Sequence, residues 1–570
     1  MDILSVSIRS DISSNGYQLE YCCGISPMVN QVSVYCRSGS ELEIRLTKLQ
    51  QQHPTAIWLT SDLTVLVKTA LETGFQLTQV PLIDLTAEAK MLMLTHPKYQ
   101  SGDLSIENAY HVFNVKLERS HSHRQTILFK RVLDLLNATL QDSIRTNAII
   151  QQMVIRGEYI KAIVKLDKQG AGFPIDQDKL NDWFVNQADT IDRIQQKVND
   201  VYGEIYVTTS DNKGRKLSHE RLKLLANINN IPWKTWGNGS YLNLDKSYLK
   251  ELANHHPDLT MFYQSITFIN AINSSDLRPL SNDGYIKPSL FLMSQKTGRN
   301  SPKPSEGYLL NAGALIRSLI TPKPEHCVIA IDWCQQEIGI AAVLSGDQKL
   351  MQAYNAVDGD VYIALAKQAG FAPPSATKYT HPEVRQIFKT VQIGLGYGKT
   401  VWSLAKDIKA NSTNLSMAQA YNKAQQIHDW HKETFSAYWQ WINAGINRAR
   451  KQRFMQSQDG WTYFVDDRIK DTQLLNFPMQ SNGAALMRLA IIELAKYDDI
   501  DFICTQHDAI YVNATVTDQS QVIEKIQTAM DFACNELFDG KLLLRTEVSI
   551  YHENNPIIQC GDIPDILHQI

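Results

Sequence analysis

The sequence predicts an α+β protein of several domains, and two changes of texture along the chain carry that expectation. Residues 1–145 interleave short β-rich runs (QVSVYC, TAIWLT) with helical stretches (TVLVKTALETG, QTILFKRVLDLLNATL), the pattern of an α/β domain. Further along, a strand region whose clearest member is CVIAID is interrupted by a long helical stretch, and strands return before the C-terminus. A chain of 570 residues, 44% hydrophobic and 20% charged, has room for three or four such domains with sizeable cores.

The elements follow in order. From DSIRTNAIIQQMVIRGEYIKAIVKLDKQG to about residue 265 the apolar spacing is mostly helical, with GAGFPID punctuating it as a turn. Strands are expected again over 280–350, helices over 350–459 and a mixture over 460–570. CVIAID runs into WCQQEIGIAAVLSGD, so Asp332 falls where a buried strand gives way to a helix; it is either a helix-capping residue or a carboxylate facing a cleft. In HPEVRQIFKTVQIGLGYGKT, Arg385, Lys389, Ile393 and Tyr397 stand four residues apart, which places them on one helical face about 18 Å long. Two cations one turn apart make either a phosphate clamp or a solvated basic face. FICTQHDAIYVNA, residues 502–514, reads as a β-hairpin with His507 and Asp508 at its tip, serving as ordinary turn residues or as metal ligands.

Composition narrows the partners. A formal net charge of -3 gives no global attraction to polyanions, so any nucleic acid must be held by local patches. Eight cysteines (22, 23, 36, 327, 334, 504, 534 and 560) form neither a disulfide framework nor a paired CxxC zinc spacing, which suits a reducing cytoplasm. No apolar run reaches the ~18 residues of a membrane span, and MDILSVSIRSD is unlike a signal peptide, so no membrane partner is expected.

Taken together, the three stretches resemble the polymerase motifs of family A DNA polymerases, the class of bacterial DNA polymerase I. That family's Asp-Tyr-Ser-Gln-Ile-Glu stands here as DWCQQE (332–337), its Arg/Lys/aromatic/Tyr-Gly helix as RQIFKTVQIGLGYG, and its His-Asp-Glu hairpin as HDA (507–509). KTGRNSP (296–302), NFPMQSNGAA (476–485) and DKQGAGFPID (167–176) resemble further segments, so the likeness covers roughly residues 150–570. It implies a right hand of palm, fingers and thumb behind an α/β, ribonuclease H-like 3'-5' exonuclease-like domain. The corresponding division is 1–145 exonuclease-like, 146–265 thumb, 266–350 palm, 351–459 fingers and 460–570 palm again. No 5'-nuclease domain is expected ahead of it, a compact form typical of phages, plasmids or other mobile elements.

The resemblance also implies roles. Asp332, Asp508 and the backbone carbonyl of Trp333 would hold two Mg²⁺ ions, for which Mn²⁺ may substitute, and those ions stabilise the attacking 3'-oxygen and the leaving pyrophosphate. Arg385 and Lys389 would clamp the triphosphate of a deoxynucleoside triphosphate, with Lys389 neutralising the departing pyrophosphate. Glu337, hydrogen-bonded to Tyr397, would exclude a 2'-hydroxyl. His507 would touch the primer, and Arg299, Asn476 and Gln480 would read minor-groove acceptors of primer-template DNA. NRARKQR (447–453) is either a template-phosphate patch or a solvated helix face.

Several positions depart from the family pattern. Ile393 replaces an aromatic, Ala509 replaces a glutamate, and Tyr362 replaces a frequent triphosphate-contacting histidine. In the N-terminal domain, where ILSVSI is an alternative first strand that offers no Asp-x-Glu, the best placement of the nuclease motifs puts QLEYCCG on the first motif, WLTSDL on the second and ATLQD on the third. Glu20, Asp62 and Asp142 survive there, but Gln18 and Ala138 replace a metal-bridging Asp and a Tyr, so proofreading is not expected. The expected activity is template-directed DNA synthesis by a monomer. The alternatives are a non-catalytic polymerase-like DNA-binding protein and a polymerase-fold transferase with untemplated or RNA-copying synthesis.

Overall fold

The computed structural model describes all residues except 1–2, 12–15, 24–30, 78–79, 116–120, 141–145, 210–213, 237–240, 275–283, 304–318, 357–359, 411–414 and 554–570. Two sheets organise the chain. The first has five strands, with Ile3–Asp11 at its centre. On one side Gly16–Cys23 and then Gln31–Cys36 add antiparallel; on the other Ile57–Thr60 and Leu82–Asp84 add parallel. An aspartate at or just past the end of each parallel strand caps the next helix. Asp62 accepts from Val65 N at 3.0 Å and Asp84 from Ala87 N at 3.0 Å, satisfying amides the helices Leu63–Thr73 and Leu85–Thr95 leave open.

The strand assignment of the nuclease-like motif is corrected here. Gln18 and Glu20 lie on the second strand, Gly16–Cys23, opposite Arg9 and Ser7 of the true first strand. Long-range pairing, which local composition does not report, decides which strand is central. The middle of the first strand carries Ser5, whose hydroxyl donates to Gln125 Oε1 at 2.6 Å and to the Ser122 carbonyl at 3.0 Å, while Gln125 Nε2 donates to Ser61 Oγ at 2.7 Å. This buried network is neutral. Ala138 lies on the helix His121–Leu140, and Asp142 lies outside the described residues.

The second sheet is wholly antiparallel, in the order Asp501–Gln506, Ala509–Thr515, His326–Trp333, Thr546–Tyr551. The helices Asp471–Leu494 and Gln519–Phe538 pack together, and Gln519–Phe538 also packs against the sheet. Between the first and second visits of the chain to this sheet comes the helical insertion, including Val361–Gln368, Pro382–Gly396, Met417–Thr434 and Ser436–Gln452. Pro382 starts its helix at the position where a missing amide costs nothing.

One hydrophobic core runs without interruption from Ile3 through the helix Thr146–Gln169 and the insertion to Leu544. A separate core, from Ile194 to Ile269, fills an arm whose helices include Gln177–Tyr202 and Thr260–Ser274. Across the main core two buried ion pairs join the layers. Arg156 meets both carboxylate oxygens of Glu88 at 2.7 Å and donates to the Asp459 carbonyl at 2.9 Å. Arg488 Nε donates to Asp459 Oδ2 at 2.8 Å. Burial alone would raise the Asp459 pKa, yet Arg488 and Arg156 outweigh it and hold the carboxyl below its ordinary value.

Candidate active site

The expected strand, hairpin and helix all form and converge on one cleft. Asp332 is the penultimate residue of His326–Trp333, paired with Ala509 on one neighbouring strand and Glu547 on the other. The hairpin turns tightly at His507 and Asp508, with His507 in the left-handed region at φ 54°. That turn faces the Asp508 carboxyl to Asp332. The cleft walls strip hydration from Asp332, and the charges of Asp508 and Glu547 add to the effect, pushing its pKa up to about 8 although the side chain opens toward solvent. Burial also raises Asp508, against the opposing pull of Arg299 and His507. Two carboxylates that resist sharing negative charge form a site prepared for cations. Their hard oxygens suit Mg²⁺, which is commonly held by one or two carboxylates together with substrate phosphates and water. No closed cage is present: among the described residues no three His, Cys, Asp or Glu side chains gather to hold an ion. The Trp333 indole is fully buried on the far side, which leaves only its backbone for the cleft.

The helix Pro382–Gly396 carries Arg385, Lys389 and Ile393 on the expected face, with Tyr397 just beyond its last turn. Ile393 and Tyr397 are both 44% exposed. Arg385 is not free: its Nε pairs with Asp360 Oδ2 at 2.6 Å, and its guanidinium stacks 5.4 Å above the ring of buried Tyr362. Tyr362 thus lies beneath the Arg385 guanidinium and supports it. Lys389 forms no ion pair among the described residues. Behind this face Gln392 Oε1 meets His431 Nε2 at 3.0 Å, and Trp439 donates to His431 Nδ1 at 3.1 Å. Burial pushes the His431 pKa down to about 3, so the imidazole is neutral and its Nε2 carries the proton.

One expected contact is replaced. Tyr397 does not bond Glu337 directly; its hydroxyl accepts from Gln480 Nε2 at 2.7 Å, while Glu337 leans toward Arg299 at 3.7 Å. Burial raises the Glu337 pKa, and Arg299 opposes that shift. Arg299, Glu337, Tyr362, Ile393, Tyr397, Asn476, His507 and Asp508 all line a cavity of about 380 Å³, Gln480 borders it through Tyr397, and Arg385, Lys389 and Asp332 are not among its lining residues. Asn476 is 6% exposed and lies beside Glu337 and Tyr397 in the cavity wall. The basic run 447–453 ends the helix Ser436–Gln452, where Arg450 pairs with Asp471 and Arg453 with Asp467. Asp360 and Glu547 were not anticipated. Asp360 could have been found as the capping residue of a short helix beside the clamp; Glu547 had no local signal beyond an alternating strand pattern.

An antiparallel sheet floor bearing facing carboxylates, a basic helix bordering the same cavity and a helical arm with its own core define a nucleotidyl-transfer type of scaffold. The family model for DNA polymerase family A matches residues 177–553, and the chain belongs to that family. It is 25% identical over 403 residues to DNA polymerase I of Caldicellulosiruptor bescii and 22% identical over 396 residues to the thermostable DNA polymerase I of Thermus thermophilus. These matches take in 65% and 64% of the chain but 44% of each relative, so the chain matches less than half the length of these relatives. In fold it is similar to the POL domain of Pol1 from M. smegmatis, solved in complex with DNA primer-template and dNTP, with a TM-score of 0.69 at 16% identity over 96% of this chain and 94% of that one. The right-hand α+β polymerase fold follows. Family A polymerases are generally dependent on divalent metal. No helix among the described residues is long and apolar enough to cross a membrane.

Proposed function

We propose that the chain is a template-directed DNA polymerase that adds deoxynucleoside triphosphates to a primer 3' end. The carrying observation is the meeting of Asp332 and Asp508 across the strand and hairpin beneath the Lys389 helix. In this reading residues 266–350 and 460–570 act as palm, 351–459 as fingers and 146–265 as thumb. Asp332, Asp508 and the Trp333 carbonyl would hold two Mg²⁺ ions, which neutralise charge on the attacking and leaving oxygens when bound. Lys389 would bind the triphosphate and offset the charge of the leaving pyrophosphate. Arg385 would join it after exchanging Asp360 for phosphate, a trade between two anions that needs only a rotation about the guanidinium stem. Glu337 would lie against the sugar and disfavour a 2'-hydroxyl, with Tyr397 held in place by Gln480. His507 and Arg299 would contact primer and minor groove. The seven described cysteines are all free, which suits the cytoplasm.

The N-terminal layer is read as exonuclease-like in outline only. The middle of its first strand carries Ser5, joined to Gln125 and Ser61 in a neutral network, where metal-bridging chemistry would require carboxylates. Primer extension with and without template, with each nucleotide set and with Mg²⁺ or Mn²⁺, tests the proposal. Templated deoxynucleotide addition, lost in Asp332→Ala and Asp508→Ala with primer-template binding retained, is the expected result. Extension near the native rate in either variant would overturn the metal assignment, and template-independent addition would replace the reading. A mismatched primer end should stay intact when Mg²⁺ is present and nucleotides are withheld; stepwise shortening there would show that the layer keeps nuclease chemistry.

A further inference from the structure

Gln336 opens the helix Gln336–Ser345 at a position where the family pattern carries isoleucine, and it is 2% exposed. Among the described residues, neither Oε1 nor Nε2 of its amide has a hydrogen-bond partner. A buried amide without partners is destabilising, whereas isoleucine would carry no such penalty, so a polar side chain kept there calls for a partner in another state of the protein. The neighbouring geometry supplies one. A Cβ on Gly483 would lie 2.3 Å from Gln336 Oε1 and 3.3 Å from Arg299 Nη2, so the absent side chain leaves a notch flanked by both groups. Among the described residues the buried Arg299 Nε has no partner either, and the ion pair of the guanidinium with Glu337 is a loose 3.7 Å contact.

We propose that Gln336 is a positioning residue for Arg299: when primer-template and nucleotide fill the cleft and Glu337 turns to the sugar, Arg299 leaves it and is anchored by the Gln336 carbonyl oxygen through the Gly483 notch. The guanidinium is then fixed while its remaining N–H groups donate to a minor-groove acceptor, purine N3 or pyrimidine O2. The inference rests on the polymerase reading and adds to it a specificity element built from a residue the family pattern lacks.

The test uses the full chain and primers ending in guanine or in 3-deazaguanine, which lacks the N3 acceptor, with Arg299→Ala as control. The native protein should extend the analogue at least about tenfold less efficiently, the size of one hydrogen bond from a charged donor. Arg299→Ala should abolish that penalty. Gln336→Ile and Gln336→Met should shrink it below about threefold, Gln336→Glu should retain it because an acceptor oxygen remains, and the melting temperature of Gln336→Ile should not fall. An undiminished penalty in Gln336→Ile and Gln336→Met overturns the anchoring role while leaving the polymerase reading intact. A penalty that survives Arg299→Ala, or a native protein that extends neither primer, overturns the reading beneath it.

Discussion

Replacing Asp332 by asparagine should destroy synthesis and stabilise the metal-free protein. The carboxyl stands with a pKa of about 8 against an ordinary 3.8, raised first by lost hydration and then by Asp508 and Glu547. At 1.36 kcal/mol per unit, such a shift in a dry site would amount to ~6 kcal/mol. Asp332 opens on the cleft, however, and water screens the repulsion, so the expected cost is ~1–2 kcal/mol. The sign follows from linkage. The folded protein holds this proton more tightly than the unfolded chain, so the group's contribution is full below about pH 4 and is lost as pH rises through about 8. Melting curves of native and Asp332→Asn protein in a chelator should therefore coincide near pH 4 and separate by a few degrees at pH 9, the variant melting higher. Added Mg²⁺ should close or invert the gap, because only the intact pair binds the ion well. A difference independent of pH, or a variant less stable than the native protein at pH 9, would refute the facing-carboxylate argument.

Lys389→Ala should slow single-turnover incorporation by about 10²–10³-fold, the loss for one positioned transition-state donor, and an unchanged rate would remove it from the clamp. Glu337→Ala should narrow the preference for deoxy over ribonucleotides, read as the ratio of the two efficiencies. Arg156→Met should leave Glu88 buried and unpaired and cost ~3–5 kcal/mol in denaturant unfolding, while Glu88→Gln with Arg156→Met should recover part of that loss.

The parts of the site that were legible in the sequence are those with a short period. Arg385, Lys389, Ile393 and Tyr397 repeat every fourth residue, and a helix of any environment would align them. The 501–515 hairpin announced itself by β-branched flanks around two turn residues. What escaped notice depends on pairing between distant segments. Glu547 matters because its strand registers against Asp332, more than 200 residues earlier, and no local pattern fixes that register. Asp360 engages Arg385 across a turn between two helices, a contact that neither helix predicts alone. Gln18 and Glu20 were set on the first strand because three similar β-rich runs lie close together, and only the sheet order tells the centre from its neighbour. The predicted contact between Glu337 and Tyr397 involves a third partner from a distant segment: Gln480, arriving from another helix, donates to the tyrosine hydroxyl.

The continuity of the main core bears on how such a protein can change over generations. Leu92 and Met93 of the N-terminal layer, Leu166 of the connecting helix and Leu486 of the helix over the catalytic sheet belong to one packed interior, with Arg156 tied to partners on both sides. A lineage that ceases to need any chemistry from the first 145 residues still cannot discard them, since deletion would strip apolar surface from the catalytic half and orphan the Arg156 charge. The arm from Ile194 to Ile269, which closes its own interior, is under no such bond, and it is the portion that recombination could exchange while leaving the rest of the hand intact.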